Sequence, residues 1–151
     1  MRTYSRGFTL IELIASITIM AILAAVALPR LTVTQPFAER GYADGIAASL
    51  RQARAVALAS GCDVQFTIDA VGYRAFQHAA SGTHCAAAGA WSTPVQRGIG
   101  TSLNESQPPG VAIAANRVIV FAADGTAGAN VTVNIGLQTI TVDASGMVSG
   151  P

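Results

Sequence analysis

The stretch Arg6-Gly7-Phe8-Thr9-Leu10-Ile11-Glu12-Leu13-Ile14, which runs on as an apolar segment to Leu28, decides how the rest of this chain is read. Phe8 to Leu28 is 21 residues with one ionisable side chain, Glu12. As a helix rising about 1.5 Å per residue it would reach roughly 31 Å, enough to cross the hydrocarbon core of a bilayer. Arg2 and Arg6 precede it, so the positive-inside rule puts the amino end in the cytoplasm; Arg30 beyond it weakens that preference without reversing it.

Three readings compete for the segment. A secretory signal peptide would use Ala25-Val26-Ala27 as its A-x-A cleavage site. Such peptides have apolar cores of about 7–15 residues, and a translocated core has no reason to keep an acid. A plain membrane anchor explains the length but not Glu12. An ionised carboxylate inside a bilayer costs ~2.5–3.5 kcal/mol on insertion scales, so it should have a partner. None lies within the same run, which leaves another chain or a free amino terminus. Cleavage between Gly7 and Phe8 would create that amine at the membrane boundary, where a neighbouring subunit could offer it to Glu12. Helices packed in a staggered array make a filament.

Those residues resemble the class III signal sequence of type IV pilins and type II secretion pseudopilins: Gly before the cut, Phe after it, Glu fifth in the mature chain. The resemblance implies cutting after Gly7 and N-methylation of Phe8 by a prepilin peptidase. It also implies a Glu12 carboxylate that recruits subunits by pairing with a neighbour's Phe8 amine. Pro29 falls where such helices kink or locally melt when packed in a filament, since proline lacks an N–H and its ring clashes with the preceding turn.

Past the polar break at 32–36, Phe37 to about Ser60 reads as a second helical stretch with Pro36 in its first turn. Tyr42, Ile46, Leu50, Ala53 and Ala57 form one face, and Arg40, Asp44, Arg51 and Arg54 the opposite one. Gly41 and Gly45 soften its first turns, and Gly61 closes it. The period then changes to two. Val64, Phe66 and Ile68 alternate with Gln65, Thr67 and Asp69, and Tyr73 to Phe76 supplies a hairpin partner. His78 to Gln107 reads as loop-rich, anchored by Trp91. Strands resume at Val111–Ile113, Val118–Phe121, Val131–Ile135, Thr139–Val142 and Met147–Val148, with turns at Asp124-Gly125, Gly136 and Ser145-Gly146. The expected fold is α+β, pilin-like: a long amino-terminal helix, membrane-spanning in its first half, packed on an antiparallel β-sheet headgroup. Its parts are a leader at 1–7, the transmembrane and filament-core helix at 8–29, the periplasmic half of the long helix at 30–61, and a β-rich headgroup at 62–151.

Composition agrees with a membrane-anchored subunit. Apolar residues make up 51% of the 151 and charged ones 11%, well under the roughly 25% of an ordinary soluble domain. Arg supplies all nine positive charges against eight acids, a net of +1, so no basic excess advertises nucleic acid. Phe37–Tyr42, Ala53–Ala57 and Ser60–Gln65 are similar to minor pilins of the MSHA (mannose-sensitive haemagglutinin) type. The pattern Phe121…Asp124-Gly125…Ile140…Gly146 is similar to H-type pseudopilin and FimT-like headgroups.

Cys62 and Cys85 lie on the periplasmic side of the expected span, where a disulfide is the default; a metal site or two free thiols are the alternatives. The His84-Cys85 adjacency lacks the C-x₂₋₄-C spacing of structural zinc sites, and His78 and His84 read as solvated loop residues. No G-x-S-x-G, P-loop or H-E-x-x-H occurs, and Gly98-Ile99-Gly100 does not continue into G-x-G-x-x-G. Asn104-Glu105-Ser106 and Asn130-Val131-Thr132 match the glycosylation triplet by chance. Asp63, Asp69, Asp124 and Asp143 read as turn residues, without the oxygen cluster of a calcium loop. Some FimT-like pilins take up DNA, but Asp44 interrupts the Arg40–Arg51–Arg54 set and no Arg follows Arg117.

The expectation is therefore a non-enzymatic minor pilin of an MSHA-like type IV pilus, without cofactor or metal. An H-type pseudopilin of a type II secretion system is the second reading, and a tip adhesin or DNA-uptake pilin stands behind both. The expected partners are other pilin or pseudopilin subunits, the prepilin peptidase, the inner-membrane assembly platform and the membrane itself. Nucleic acid is not among them.

Overall fold

The computed structural model describes residues 9–31, 35–82 and 84–151, and the chain divides into two compact units, Met1–Thr34 and Gln35–Pro151. The first contains α1 (Leu10–Leu31). Its start is capped locally. Thr9 accepts from the Glu12 and Leu13 amides through its carbonyl, at 3.1 and 3.2 Å, and from Glu12 again through Oγ1 at 3.3 Å. A threonine oxygen answering the third helical amide is the N-cap arrangement, worth about 1 kcal/mol.

The second unit is built on α2 (Gln35–Ser60). Its expected apolar face is buried throughout, with Ala43 and Ala47 added, and the four alanines hold the helix backbone close to what it covers. Gly61 ends the helix at φ 63°, donating to the Ala57 carbonyl at 2.9 Å, the left-handed cap that glycine adopts without a Cβ penalty.

The strands follow in chain order: β1 (Val64–Asp69), β2 (Gly72–His78), β3 (Ala80–Ser81), β4 (His84–Cys85), β5 (Trp91–Pro94), β6 (Gln96–Gly98), β7 (Thr101–Ser102), β8 (Asn104–Ser106), β9 (Arg117–Phe121), β10 (Val131–Ile135), β11 (Gln138–Val142) and β12 (Val148–Ser149). The main sheet runs β5-β2-β1-β9, with β8 pairing the start of β2; a second runs β10-β11-β12; all named pairs are antiparallel. Alternation in β1 buries Val64, Phe66 and Ile68, and its register sets Val64 opposite Phe121 and Phe66 opposite Ile119. In the second sheet Val133 lies opposite Ile140. Both inner faces join the apolar face of α2 in one core. The α+β expectation holds.

Two sequence expectations need correction. Residues 78–107 are more ordered than a loop-rich stretch. They hold two short hairpins, β3–β4 and β6–β7, and two strands, β5 and β8, that pair with β2, because backbone bonds replace side-chain pattern there. Val95 donates to Ala75 at 3.0 Å, Ala75 to Leu103 at 3.1 Å and Leu103 to Val95 at 2.6 Å, burying Val95 and Leu103. Strands of two to four residues are too short for period-two reading. Val111–Ile113 in turn is no strand: Val111 is buried and Ile113 makes an isolated bridge to Ile135. Proline and glycine just before it leave no run of ladder bonds to extend.

A polar network crosses the core beneath β2. Tyr73 donates to the Glu105 carboxylate at 2.7 Å and accepts from Arg97 at 2.6 Å and from the buried Ser49 hydroxyl at 3.1 Å. Tyr42 beside it, rings 5.9 Å apart, has a buried hydroxyl with no partner among the described residues. Burial first, then the neighbouring Tyr73, Glu105 and Asp69, pushes its pKa up to about 12. A folded-state value above the ordinary 10 means its contribution is full below pH 10 and is lost as pH rises through about 12. Tyr42→Phe removes an unsatisfied buried hydroxyl, so we expect a gain of about 1 kcal/mol at neutral pH and a shallower alkaline loss. Urea midpoints at pH 8 and pH 11 check both; a lower midpoint at pH 8 contradicts the assignment.

Candidate functional site

Residues 1–8 lie outside the described residues, and with them the expected cleavage pair Gly7 and Phe8, including the methylated amine of Phe8. Glu12 is described. It occupies the third position of α1, its side chain is exposed, and among the described residues none pairs with its carboxylate. Thr9 and Glu12 stand in the S/T-x-x-E spacing of a capping box, so the acid has a local role available besides the intersubunit one.

From Leu13 to Leu28 α1 carries no charged side chain, and its described side chains are apolar on every side but for two hydroxyls. Leu10, Ile11, Met20 and Ile22 are all at least 65% exposed in the unit taken by itself, and its two hydroxyl groups turn inward: Ser16 donates to the Glu12 carbonyl at 2.7 Å and Thr18 to Ala15 at 2.9 Å. A helix without a polar face needs lipid or other helices around it. Among the described residues no helix is long and apolar enough to cross a membrane. The expected span reaches past them, since Phe8 and the side chains of 26–31 lie outside the description. Pro29 falls within the last turn of α1, which ends at Leu31.

In the headgroup, Cys62 and Cys85 form a disulfide with Cα atoms 6.0 Å apart. It closes a separation of 23 residues, worth roughly 3 kcal/mol in the chain-entropy model. It ties the end of α2 to the β3–β4 hairpin. His84 is exposed as expected, with Nε2 3.8 Å from Cys62 Sγ. His78 is not solvated: it is half-buried and stacked on Trp91 with centroids 3.7 Å apart. The two meet because β5 pairs with β2 and sets Trp91 opposite His78.

At the same end of α2 the two turns of the β-rich half converge. Arg54 donates from Nε to the Gly125 carbonyl at 3.0 Å and from a terminal nitrogen to Ser145 at 3.1 Å. Arg51 reaches the carbonyls of Val148 and Gly150 at 3.4 and 3.5 Å. The helical-wheel reading holds, since Arg40, Asp44 and Arg51 are exposed and Arg54 is half-buried, opposite the buried face. What the wheel does not show is that the long side chains of Arg51 and Arg54 reach carbonyls of the β-rich half. Their use here also removes two cations from any phosphate-binding set. Asp63 accepts from the Ala123 amide at 2.8 Å, fastening the start of β1 to the turn after β9.

The other aspartates do turn chemistry. Asp124 accepts from the Thr126 amide and hydroxyl at 3.0 and 2.8 Å, and Asp143 from Ser145 and Met147 at 2.7 and 2.8 Å. Those bonds lower both carboxyl pKa values, first through Thr126 and through Ser145 respectively. Asp69 is lowered chiefly by its bond to Arg74, 2.6 Å away. Depressed folded-state values mean these contributions are present at neutral pH and are lost as pH falls below the ordinary carboxylate range.

The arrangement is one of fasteners: caps, a disulfide and clasps that hold a small headgroup on its helix. Comparison with known proteins gives two matches. The family described as Type II transport protein GspH matches residues 42–147, and the Prokaryotic N-terminal methylation motif matches residues 2–28. No curated protein and no solved structure matches the chain.

Proposed function

Because the chain belongs to the GspH family of the type IV pilin and pseudopilin superfamily and carries the N-terminal methylation motif, we propose that it is a minor pilin of an MSHA-like type IV pilus. Proteins of these families are structural subunits, and the fasteners of the headgroup suit a load-bearing subunit that catalyses nothing. The observation that carries the reading is the apolar run of α1 up to Leu28, with its single acid in the first turn. In this reading the precursor sits in the inner membrane with residues 35–151 in the periplasm. The prepilin peptidase cuts after Gly7 and methylates Phe8, and the assembly platform feeds the mature chain into a filament of pilin subunits. Glu12 takes the Phe8 amine of a neighbour, and Pro29 lets the helix adapt to packing.

The description of the matched family favours a second reading, a minor pseudopilin of a type II secretion system. Both use the same processing, which is tested first. Mass spectrometry of the membrane-extracted protein is expected to find a methylated amino terminus at Phe8. An amino terminus at Leu28 would sink both readings. Deleting the chain then separates them: loss of surface pili with normal secretion supports the pilus, and the converse supports the pseudopilus.

A further inference from the structure

We propose that opening the Cys62–Cys85 disulfide turns this corner of the headgroup into a binding site for a thiophilic divalent cation of the zinc class, with Cys62, Cys85 and His84 as its protein ligands. The two sulfurs and one imidazole nitrogen already lie within 4.8 Å of one another. Cys62 Sγ and His84 Nε2 are 3.8 Å apart. Around tetrahedral zinc, with Zn–S of about 2.3 Å and Zn–N of about 2.0–2.1 Å, a sulfur and a nitrogen sit about 3.5 Å apart. The imidazole is therefore already close to its place beside Cys62, and the larger movement is the parting of the two sulfurs once their bond is broken.

Two further observations point to a ligand here. A cleft of about 330 Å³ opens beside the disulfide, lined by Cys62, Cys85, both histidines and Gln77. Within that lining, His78 has a buried Nδ1 with no partner among the described residues, although stacking on Trp91 fixes its ring. Three ligands leave a fourth tetrahedral position for water, and this orphaned nitrogen is one of the polar groups in the same lining.

The site is gated by redox state. With the disulfide closed, neither sulfur is a thiolate and no such site exists. A dithiol reductant supplies two electrons and two protons, leaving as its own disulfide while two cysteine thiols form. The cation then binds both sulfurs as thiolates and expels the two thiol protons. The Cys62 and Cys85 backbones are already held by Gly61 at the helix cap and by the β3–β4 ladder, where Ala80 pairs with Cys85. The cation thus replaces one cross-link with another.

The test uses the full chain in detergent, reduced with a phosphine, which takes its oxygen from water and competes poorly for metal. Cobalt(II) is the probe. The reduced chain is expected to develop a thiolate-to-cobalt charge-transfer band that saturates at one equivalent, and the oxidised chain none. His84→Ala changes an exposed side chain, and is expected to weaken cobalt binding by at least roughly tenfold, the smallest loss typical even of an outer-shell partner. Zinc should raise the urea midpoint of the reduced chain and leave that of the oxidised chain unchanged. Absence of the band in the reduced chain overturns the proposal. So does equal affinity in His84→Ala, which would mean that a bare dithiol is chelating.

Discussion

Glu12→Val is expected to enter the membrane and be cut after Gly7 like the parent chain, and then to fall in sheared filaments by roughly a hundredfold or more. If the acid were only a burden on a plain anchor, its removal would help, deleting a burial cost of ~2.5–3.5 kcal/mol. If it pairs with a neighbour's Phe8 amine, the substitution leaves that amine buried and alone. Breaking one side of a buried pair costs ~3–5 kcal/mol, and the sign reverses. The cap at Thr9 adds a control that charge arguments alone do not provide. Glu12→Gln keeps the S/T-x-x-E/Q capping box while removing the charge, so a local helix-starting role predicts normal filaments from it. Intersubunit pairing predicts that Glu12→Gln fails as Glu12→Val does. Glu12→Asp should be nearly as poor, since a side chain one methylene shorter cannot reach the same amine. Immunoblots of membrane and filament fractions read all three. Normal incorporation of Glu12→Val would remove the acid from the docking mechanism.

Gly146→Ala is expected to cost at least about 3 kcal/mol of headgroup stability. Two penalties add at this position. Its φ of 80° lies in the left-handed region, and a Cβ there would overlap the Gly125 carbonyl while also crowding Arg54 Nε at 3.0 Å. That carbonyl is the one Arg54 holds, so the substitution forces apart the contact that joins the two turns to α2. Gly128→Ala isolates the first penalty. Its φ is 71° and nothing lies within 4 Å of the Cβ position, so only the conformational cost of about 1–2 kcal/mol is expected. Urea denaturation of both variants, followed by circular dichroism, gives the difference directly. Equal midpoints would show that the two turns do not meet as described.

Much of this was legible in the chain. The face of α2 from Tyr42 to Ala57, the alternation of β1 and the turn glycines come from periods of 3.6 and 2, which a window of a dozen residues displays. The amino-terminal motif is equally local: Gly7, Phe8 and Glu12 are recognised by type and spacing. The polar network was not legible. Ser49 sits on an apolar helix face with no signal in its neighbours, and it is satisfied only because Tyr73 and Arg97 arrive from 24 and 48 residues away. His78 misled in the same way: it looked like a solvated loop residue until pairing of β2 with β5 stacked it on Trp91, the anchor of that stretch.

By itself, then, the sequence determined the longer elements and the class of the protein: a leader, an apolar helix with one acid, a second amphipathic helix, the alternating strands outside residues 78–113, and two cysteines fit to pair. Tertiary structure alone decided which distant pieces touch. Arg54 reaches Gly125 and Ser145 across separations of 71 and 91 residues, and Asp63 reaches Ala123 across 60. Periodicity depends on neighbours along the chain, and every helix or strand of that type shows it. A clasp depends on where two loops come to rest after the core has closed, and a Gly-Arg-carbonyl meeting of that kind leaves no mark in any short window of residues.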